Sequence, residues 1–208
     1  NNQSEPIRHW MELSIRSRDA ACDYVGTASS TLRRVLRRCW PGPLTAVVQC
    51  PEPFSALSQL PVGVRDQVVD DDGYVCFRVV DHSVLDQIHR YLSGPLVLAS
   101  FQPHEGTEIA TVAARMVEKY GDELPLLLDD GPTRYGGVTT VVRVSGNRWE
   151  LLREGVIERA AMNQFVKPVI AVVCTGNTCR SPMAETLLRE QLNKRTGCDD
   201  AVRVISAG

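Results

Sequence analysis

Apolar and polar positions follow two rhythms along this chain, and glycine or proline marks most of the changes between them. In STLRRVLRRCW (30–40) the apolar residues Leu32, Val35, Leu36 and Cys39 recur at helical spacing with arginines between them. That predicts an amphipathic helix, stopped by the Pro-Gly-Pro run at 41–43. LTAVVQC (44–50) reads as a buried strand, DQVVDDDGY (66–74) as an exposed loop, and YVCFRVV (74–80) as a second strand. The run Asp70–Asp72 fits a solvated turn better than a metal site. Further on come a helix over 83–92, a strand over 94–100, a helix over 108–121 that ends at Gly121, and a strand over 124–132 running into a turn. VTTVVRV (138–144) and WELLREG (149–155) complete this stretch as two strands. Strands alternating with helices imply a layered α/β domain with a mixed, twisted sheet.

After GVIERAAMNQF (155–165) the pattern restarts, which places a boundary near Met162 and divides the chain into domains 1–161 and 162–208. The second part reads as strand 169–174, a glycine-containing loop 174–181, helix 182–195 with Ala184, Leu187, Leu188 and Leu192 on its apolar face, and strand 202–206. That is one βαβ unit. Alone it buries little surface, so this part is expected either to continue in a longer chain or to lean on the first domain.

Composition changes this picture only by exclusion. With 43% apolar and 23% charged residues the chain is an ordinary globular one, and its net charge of −2 gives no support to bulk electrostatic binding of nucleic acid. No apolar run approaches the ~18–20 residues that cross a bilayer, and NNQSEPIRHW lacks the apolar stretch of a signal peptide, so a cytoplasmic protein without membrane partners is expected. Seven cysteines (22, 39, 50, 76, 174, 179 and 198) stand in no metal-ligand pairing. Most are expected to pack as small buried hydrophobes.

Cys174 and Cys179 differ from the rest. VVCTGNTCRSPMAE sets a cysteine at the end of an apolar strand, five residues before Arg180, with Ser181 and Pro182 opening a helix. Ser181 as N-cap and Pro182 as first helical residue would gather the loop's N–H groups above a helix N-terminus, which is an anion site. Gly176 lets the loop curl, Asn177 tolerates left-handed backbone and braces the loop, and Arg180 can clamp two oxygens of a tetrahedral oxyanion. In that field of helix dipole, N–H groups and guanidinium a thiol ionises well below its ordinary ~8.5, making Cys174 the candidate nucleophile. Attack on phosphorus would give a cysteinyl-phosphate that water hydrolyses, with Arg180 stabilising the equatorial oxygens. The motif resembles the phosphate loop of low-molecular-weight protein tyrosine phosphatases, and RVISAG (203–208) resembles that family's next strand. The resemblance implies that Cys174 is the nucleophile and Arg180 the clamp. Thr175, Gly176, Asn177, Thr178, Cys179 and Ser181 would line the phosphate, Asn177 as brace and Ser181 as hydrogen-bond donor to the thiolate. Cys179 matches a second loop cysteine that can form a protective disulfide with the nucleophile, or serves as a packing residue. Thr178 resembles the branch acting on phosphoarginine, since tyrosine-specific members commonly carry a bulky aliphatic residue there. The family's general acid is an aspartate farther downstream, so this part is expected to be a phosphatase fragment.

The first domain carries its own signature in RRCWPGPLT (37–45), CFRVVDHSVLDQI (76–88), SGPLVLAS (93–100), LDDGPTRYGGVTTVVRV (128–144) and ELLREG (150–155). Together these resemble the YrdC/YwlC family of threonylcarbamoyl-AMP synthases over roughly residues 5–160. Such enzymes combine L-threonine, bicarbonate and ATP, with Mg, into the adenylate used to modify tRNA, and hold no tightly bound cofactor. The resemblance implies that Arg78 and Thr139 hold threonine while Ser100, Gln102 and Arg153 face the nucleotide; guanidinium groups suit carboxylates and phosphates. Gln102 and Phe101 replace the asparagine and alanine of the family's Ser-Ala-Asn motif. The family's N-terminal strand, with its Pro-Thr-Asp/Glu-Thr motif and following basic residues, lies upstream of this sequence, so the 208 residues are expected not to make the adenylate unaided. The combined expectation is a bifunctional fusion, with a phosphorylated protein as one substrate and tRNA or tRNA-modification proteins as further partners. A competing expectation makes the first domain an inactive nucleotide- or RNA-binding platform that positions a phosphotyrosine or phosphoarginine phosphatase.

Overall fold

The computed structural model describes residues 11–50, 55–99, 110–197 and 201–208. The chain divides into two compact units, Asn1–Ala161 and Met162–Gly208. The first is built on six strands: β1 (Glu12–Ser14), β2 (Leu44–Gln49), β3 (Tyr74–Arg78), β4 (Leu96–Leu98), β5 (Thr140–Ser145) and β6 (Arg148–Arg153). They lie in the order β4-β1-β3-β2-β5-β6. The pairs β1/β3 and β2/β5 are parallel, and the other three are antiparallel. The sheet is therefore mixed, as the alternation of strands and helices predicts. Helices α1 (Ala21–Val25), α2 (Ser30–Cys39), α3 (Val62–Val68), α4 (Ser83–Tyr91) and α5 (Ala113–Tyr120) connect the strands, with a 3-10 turn at Ala56–Gln59. A further helix, α6 (Arg159–Val166), follows β6.

Strand register separates two unlike faces. Leu13, Phe77, Ala46 and Val142 stand side by side across four strands, each fully buried, and the Tyr24 ring meets Phe77 at 5.4 Å. This is the apolar core. The neighbouring row of Glu12, Cys76, Val47 and Arg143 points to the other face, as do Ser14 beside Arg78 and Thr45 beside Val141 and Arg153. Charged groups thus occupy one face of a sheet whose opposite face is dry.

Helix α2 forms where its apolar spacing predicts. Ser29 caps it by accepting from the Leu32 N–H at 3.1 Å, and Leu32, Val35, Leu36 and Cys39 are buried. Four expectations need correction. No strand forms over 124–132: Leu126 and Leu128 are 73% and 62% exposed and find no pairing partner among the described residues, so an apolar run alone did not make a strand. Residues 66–68 belong to α3 rather than to a loop. The helix expected over 108–121 begins only at Ala113, and β4 is three residues long. Asp70 does make a turn, accepting from the N–H groups of Asp72 and Tyr74.

The second unit contains β7 (Val169–Val173), α7 (Arg180–Thr196) and β8 (Arg203–Ala207). β7 and β8 run parallel from Val169 opposite Arg203 to Val173 opposite Ala207, which makes the expected βαβ unit. Gly197, left-handed at φ 65°, ends α7, with its N–H bonded to the Asn193 carbonyl. Leu187, assigned from its spacing to the apolar face of this helix, is 60% exposed.

Candidate active sites

Cys174 follows the last residue of β7, and its N–H continues the ladder to the Ala207 carbonyl at 3.0 Å. Strand pairing therefore fixes the thiol at the sheet's C-terminal edge, directly before α7. The helix begins one residue earlier than expected. Cys179 occupies the N-cap position without a side-chain cap, and Ser181 lies inside the first turn. Pro182 is harmless there because first-turn N–H groups lack intrahelical acceptors. Released from capping, the Ser181 hydroxyl lies 3.0 Å from Cys174 Sγ and donates to Asn177 Oδ1 at 2.7 Å, in a residue only 1% exposed.

That hydroxyl has one proton and cannot donate to both neighbours. When Cys174 is a thiol it can donate to Ser181 Oγ. When it is a thiolate, Ser181 turns its proton to sulfur and gives up its bond to Asn177 Oδ1. The thiol is lowered to about 7 by Ser181 first, then by the backbone N–H groups of Gly176 and Ser181, with Asn177 adding a smaller contribution against slight desolvation. The expectation that the Arg180 guanidinium shares in this shift is corrected: hydrogen bonds carry it, and Arg180 is exposed.

The left-handed residue of the loop is Asn177 at φ 43°, not Gly176. A Cβ on Gly176 would meet only Thr178 Oγ1, at 3.4 Å, and that hydroxyl donates to the Gly176 carbonyl. Thr175, Thr178 and Cys179 are exposed, and Cys174 and Cys179 are both free thiols. The residue that sequence reasoning missed is Gly208. A Cβ there would stand 2.4 Å from the Asn177 nitrogen and 2.5 Å from the Cys174 carbonyl. Its signal was a glycine directly after a strand, which marks a close backbone approach. Gly208→Ala is expected to displace the loop and return Cys174 toward an ordinary thiol, read as slower alkylation at neutral pH. Ser181→Ala should also move the alkylation profile to higher pH, because the first cause of the shift is removed.

On the charged face of the first unit, Arg78 ends β3 and Arg153 ends β6. Arg153 is placed by a hydrogen bond and Arg78 by a looser ion pair. Arg153 Nε donates to the Thr139 carbonyl at 3.0 Å, so two of the expected site residues meet. Arg78 Nη1 faces Glu12 Oε2 at 3.9 Å, and Thr45 Oγ1 donates to Glu12 Oε1 at 3.0 Å. Burial pulls the Arg78 guanidinium below its ordinary value; Glu12 opposes this, Arg153 adds to it, and Tyr135 opposes it. The two arginines and Tyr135 therefore share one electrostatic neighbourhood. Arg78 Nε is buried with no hydrogen-bond partner among the described residues. Glu12, Thr45 and Tyr135 were absent from the sequence reading; Ser100 and Gln102 lie outside the described residues. Cys39 and Cys50 are buried and pushed up to about 12, as packing thiols are, while Cys22 is exposed. Among the described residues no cluster of His, Cys, Asp or Glu could hold a metal ion, and no helix is long and apolar enough to cross a membrane.

The chain thus joins a mixed α/β sheet that carries Arg78 and Arg153 on one face to a βαβ unit with a cysteine loop. It belongs to the Sua5/YciO/YrdC family, whose model, described as "Telomere recombination", matches residues 4–155. Residues 169–208 match the model of the low molecular weight phosphotyrosine protein phosphatases. The chain is 24% identical over 147 residues to the threonylcarbamoyl-AMP synthase of Bacillus subtilis (strain 168), covering 71% of this chain and 40% of that protein. It is 62% identical over 39 residues to low molecular weight protein-tyrosine phosphatase A of Mycobacterium tuberculosis (strain ATCC 25618 / H37Rv), covering 19% of this chain and 23% of that one. It thus spans less than half the length of these relatives. The fold is similar to that of P. abyssi Sua5 complexed with L-threonine, with a TM-score of 0.59 at 17% identity over 98% of this chain and 67% of that one.

Proposed function

We propose that the two units, taken as domains 1–161 and 162–208, are a threonylcarbamoyl-AMP synthase module and the phosphate-loop part of a protein phosphatase. The observation that carries the phosphatase reading is the Cys174 thiol, 3.0 Å from Ser181 Oγ and lowered to about 7 at the start of α7. The thiolate attacks phosphorus, the bond from phosphorus to the leaving atom breaks, and a cysteinyl-phosphate forms; that atom is the guanidine nitrogen of phosphoarginine or the phenolic oxygen of phosphotyrosine. The leaving nitrogen or oxygen takes a proton from an acid, in this family an aspartate C-terminal to the matched residues. Water then cleaves the S–P bond and releases phosphate. Backbone N–H groups of the loop and the Arg180 guanidinium hold the phosphoryl oxygens, more tightly as they become equatorial. The substrate is a phosphorylated protein, and Thr178 favours phosphoarginine over phosphotyrosine.

In the synthase module Arg78 takes the L-threonine carboxylate with Thr139 beside it, while Arg153, Ser100 and Gln102 face ATP, which enters with Mg. Bicarbonate supplies the carbamoyl carbon, and the product passes to tRNA modification in the cytoplasm. Phe101 and Gln102, which depart from the family's Ala and Asn, favour the platform as a second reading. Acid-quenching the chain after mixing with p-nitrophenyl phosphate is expected to leave phosphate on Cys174, found by peptide mass spectrometry. Pyrophosphate release that needs ATP, L-threonine and bicarbonate together would support the synthase module. An unmodified Cys174 with phosphate on another residue would refute the phosphatase reading.

A further inference from the structure

Glu12 is the residue the proposed functions leave unused. It lies in β1, 5% exposed, on the charged face, between the Thr45 hydroxyl at 3.0 Å and the Arg78 guanidinium at 3.9 Å. A carboxylate buried beside the arginine of a simple anion site would weaken that site, since it repels what the arginine attracts. It is also costly to bury. The 3.9 Å separation is too long for a hydrogen bond, so the two side chains form a loose ion pair in which each keeps hydrogen-bonding capacity for a ligand. Thr45 fixes one carboxylate oxygen, and the other faces the guanidinium. Arg78 keeps a buried Nε without a partner among the described residues.

We propose that Glu12 and Arg78 form a receptor for the two charges of a free α-amino acid, Arg78 holding the carboxylate and Glu12 the α-ammonium. An amino acid carries these charges on one carbon, a spacing of the same order as the gap between the two side chains. Its net charge is zero, so it gains from both ends of the pair. A carboxylate without the ammonium gains at Arg78 and loses at Glu12. Glu12 therefore selects zwitterions and rejects simple carboxylates and inorganic anions. Thr45 holds the carboxylate in place for that task. The inference rests on the reading that this face binds L-threonine, and it adds the group that recognises the amine.

The test is calorimetric titration of the 208-residue chain with L-threonine and with 3-hydroxybutanoate, which is the same skeleton without the ammonium. The wild-type chain is expected to prefer L-threonine by about tenfold or more, the scale of a hydrogen bond to a charged group. Glu12→Gln keeps the shape and the bond from Thr45, and should lose that preference by weakening L-threonine while 3-hydroxybutanoate binds as well or better. Should Glu12→Gln fail to fold by circular dichroism, Glu12→Asp and the wild-type ligand pair decide the matter. Equal affinity for the two ligands in the wild type, or a preference that survives Glu12→Gln, would overturn the role of Glu12 and leave the threonine site standing. A wild-type chain that binds neither ligand would overturn the threonine reading itself, and this inference with it.

Discussion

Cys174→Ser is expected to abolish both cysteinyl-phosphate formation and the fast phase of thiol alkylation, with a loss of turnover of at least about 10⁴-fold, typical for removal of a nucleophile. The replacement is nearly isosteric, and the ladder bond from the Cys174 N–H to Ala207 does not depend on the side chain. The effect should therefore be chemical. A serine hydroxyl in the same field stays protonated, whereas the thiol lowered to about 7 is half ionised at neutral pH. Buried thiols do not replace it. Cys39 and Cys50, pushed up to about 12, are thiolate in only about one molecule in 10⁵ at pH 7. Peptide mapping after iodoacetamide treatment would read the result, and a fast phase that survives in the variant would remove Cys174 from its assigned role.

Arg78→Lys is expected to weaken L-threonine binding by roughly 10- to 100-fold, because an ammonium cannot reproduce the planar fork of a guanidinium. Folding should survive, since a positive charge still faces Glu12. Arg78→Ala should do more damage. It leaves the Glu12 carboxylate, with its side chain only 7% exposed, without its counter-charge, at a cost of about 3 kcal/mol or more in stability. Urea denaturation separates the two effects from calorimetric titration. An undiminished affinity in Arg78→Lys would place the threonine carboxylate elsewhere.

Much of this architecture was legible where local and global preferences agree. The α2 spacing, the strands around Val47, Phe77 and Val142, and the βαβ order after Met162 each combine a strong pattern with burial in the fold. What was not legible depends on neighbours. β1 is three residues, Glu12 to Ser14, with an acidic residue at its start, so its pattern reads as polar until β3 and β4 flank it. The apolar run at 124–128 reads as a strand, yet a strand needs a partner edge and none of the described residues pairs with it.

The cysteine loop was legible as a motif because its residue types and spacing are dictated by oxyanion chemistry. Its inner wiring was not. Spacing suggested that Ser181 caps the helix, whereas it faces Cys174 and Asn177. The left-handed backbone at Asn177 was anticipated, but the close approach of Gly208 depends on two strands meeting in parallel. On the sheet, Arg78 and Arg153 were named because they stand in motifs that resemble those of a known family. Glu12 and Thr45 were not, because a carboxylate and a hydroxyl acquire meaning only when strand register sets them beside a guanidinium.

The most direct measurement of the central claim is the rate of Cys174 alkylation by iodoacetamide as a function of pH, with and without inorganic phosphate. The thiolate is the reactive form, so the rate should rise with pH and reach half its maximum near pH 7, and phosphate should slow it by occupying the loop. A half-maximum near the ordinary ~8.5 of a free thiol, with rates indifferent to phosphate, would contradict the assignment of this loop as a phosphate site with an ionised nucleophile.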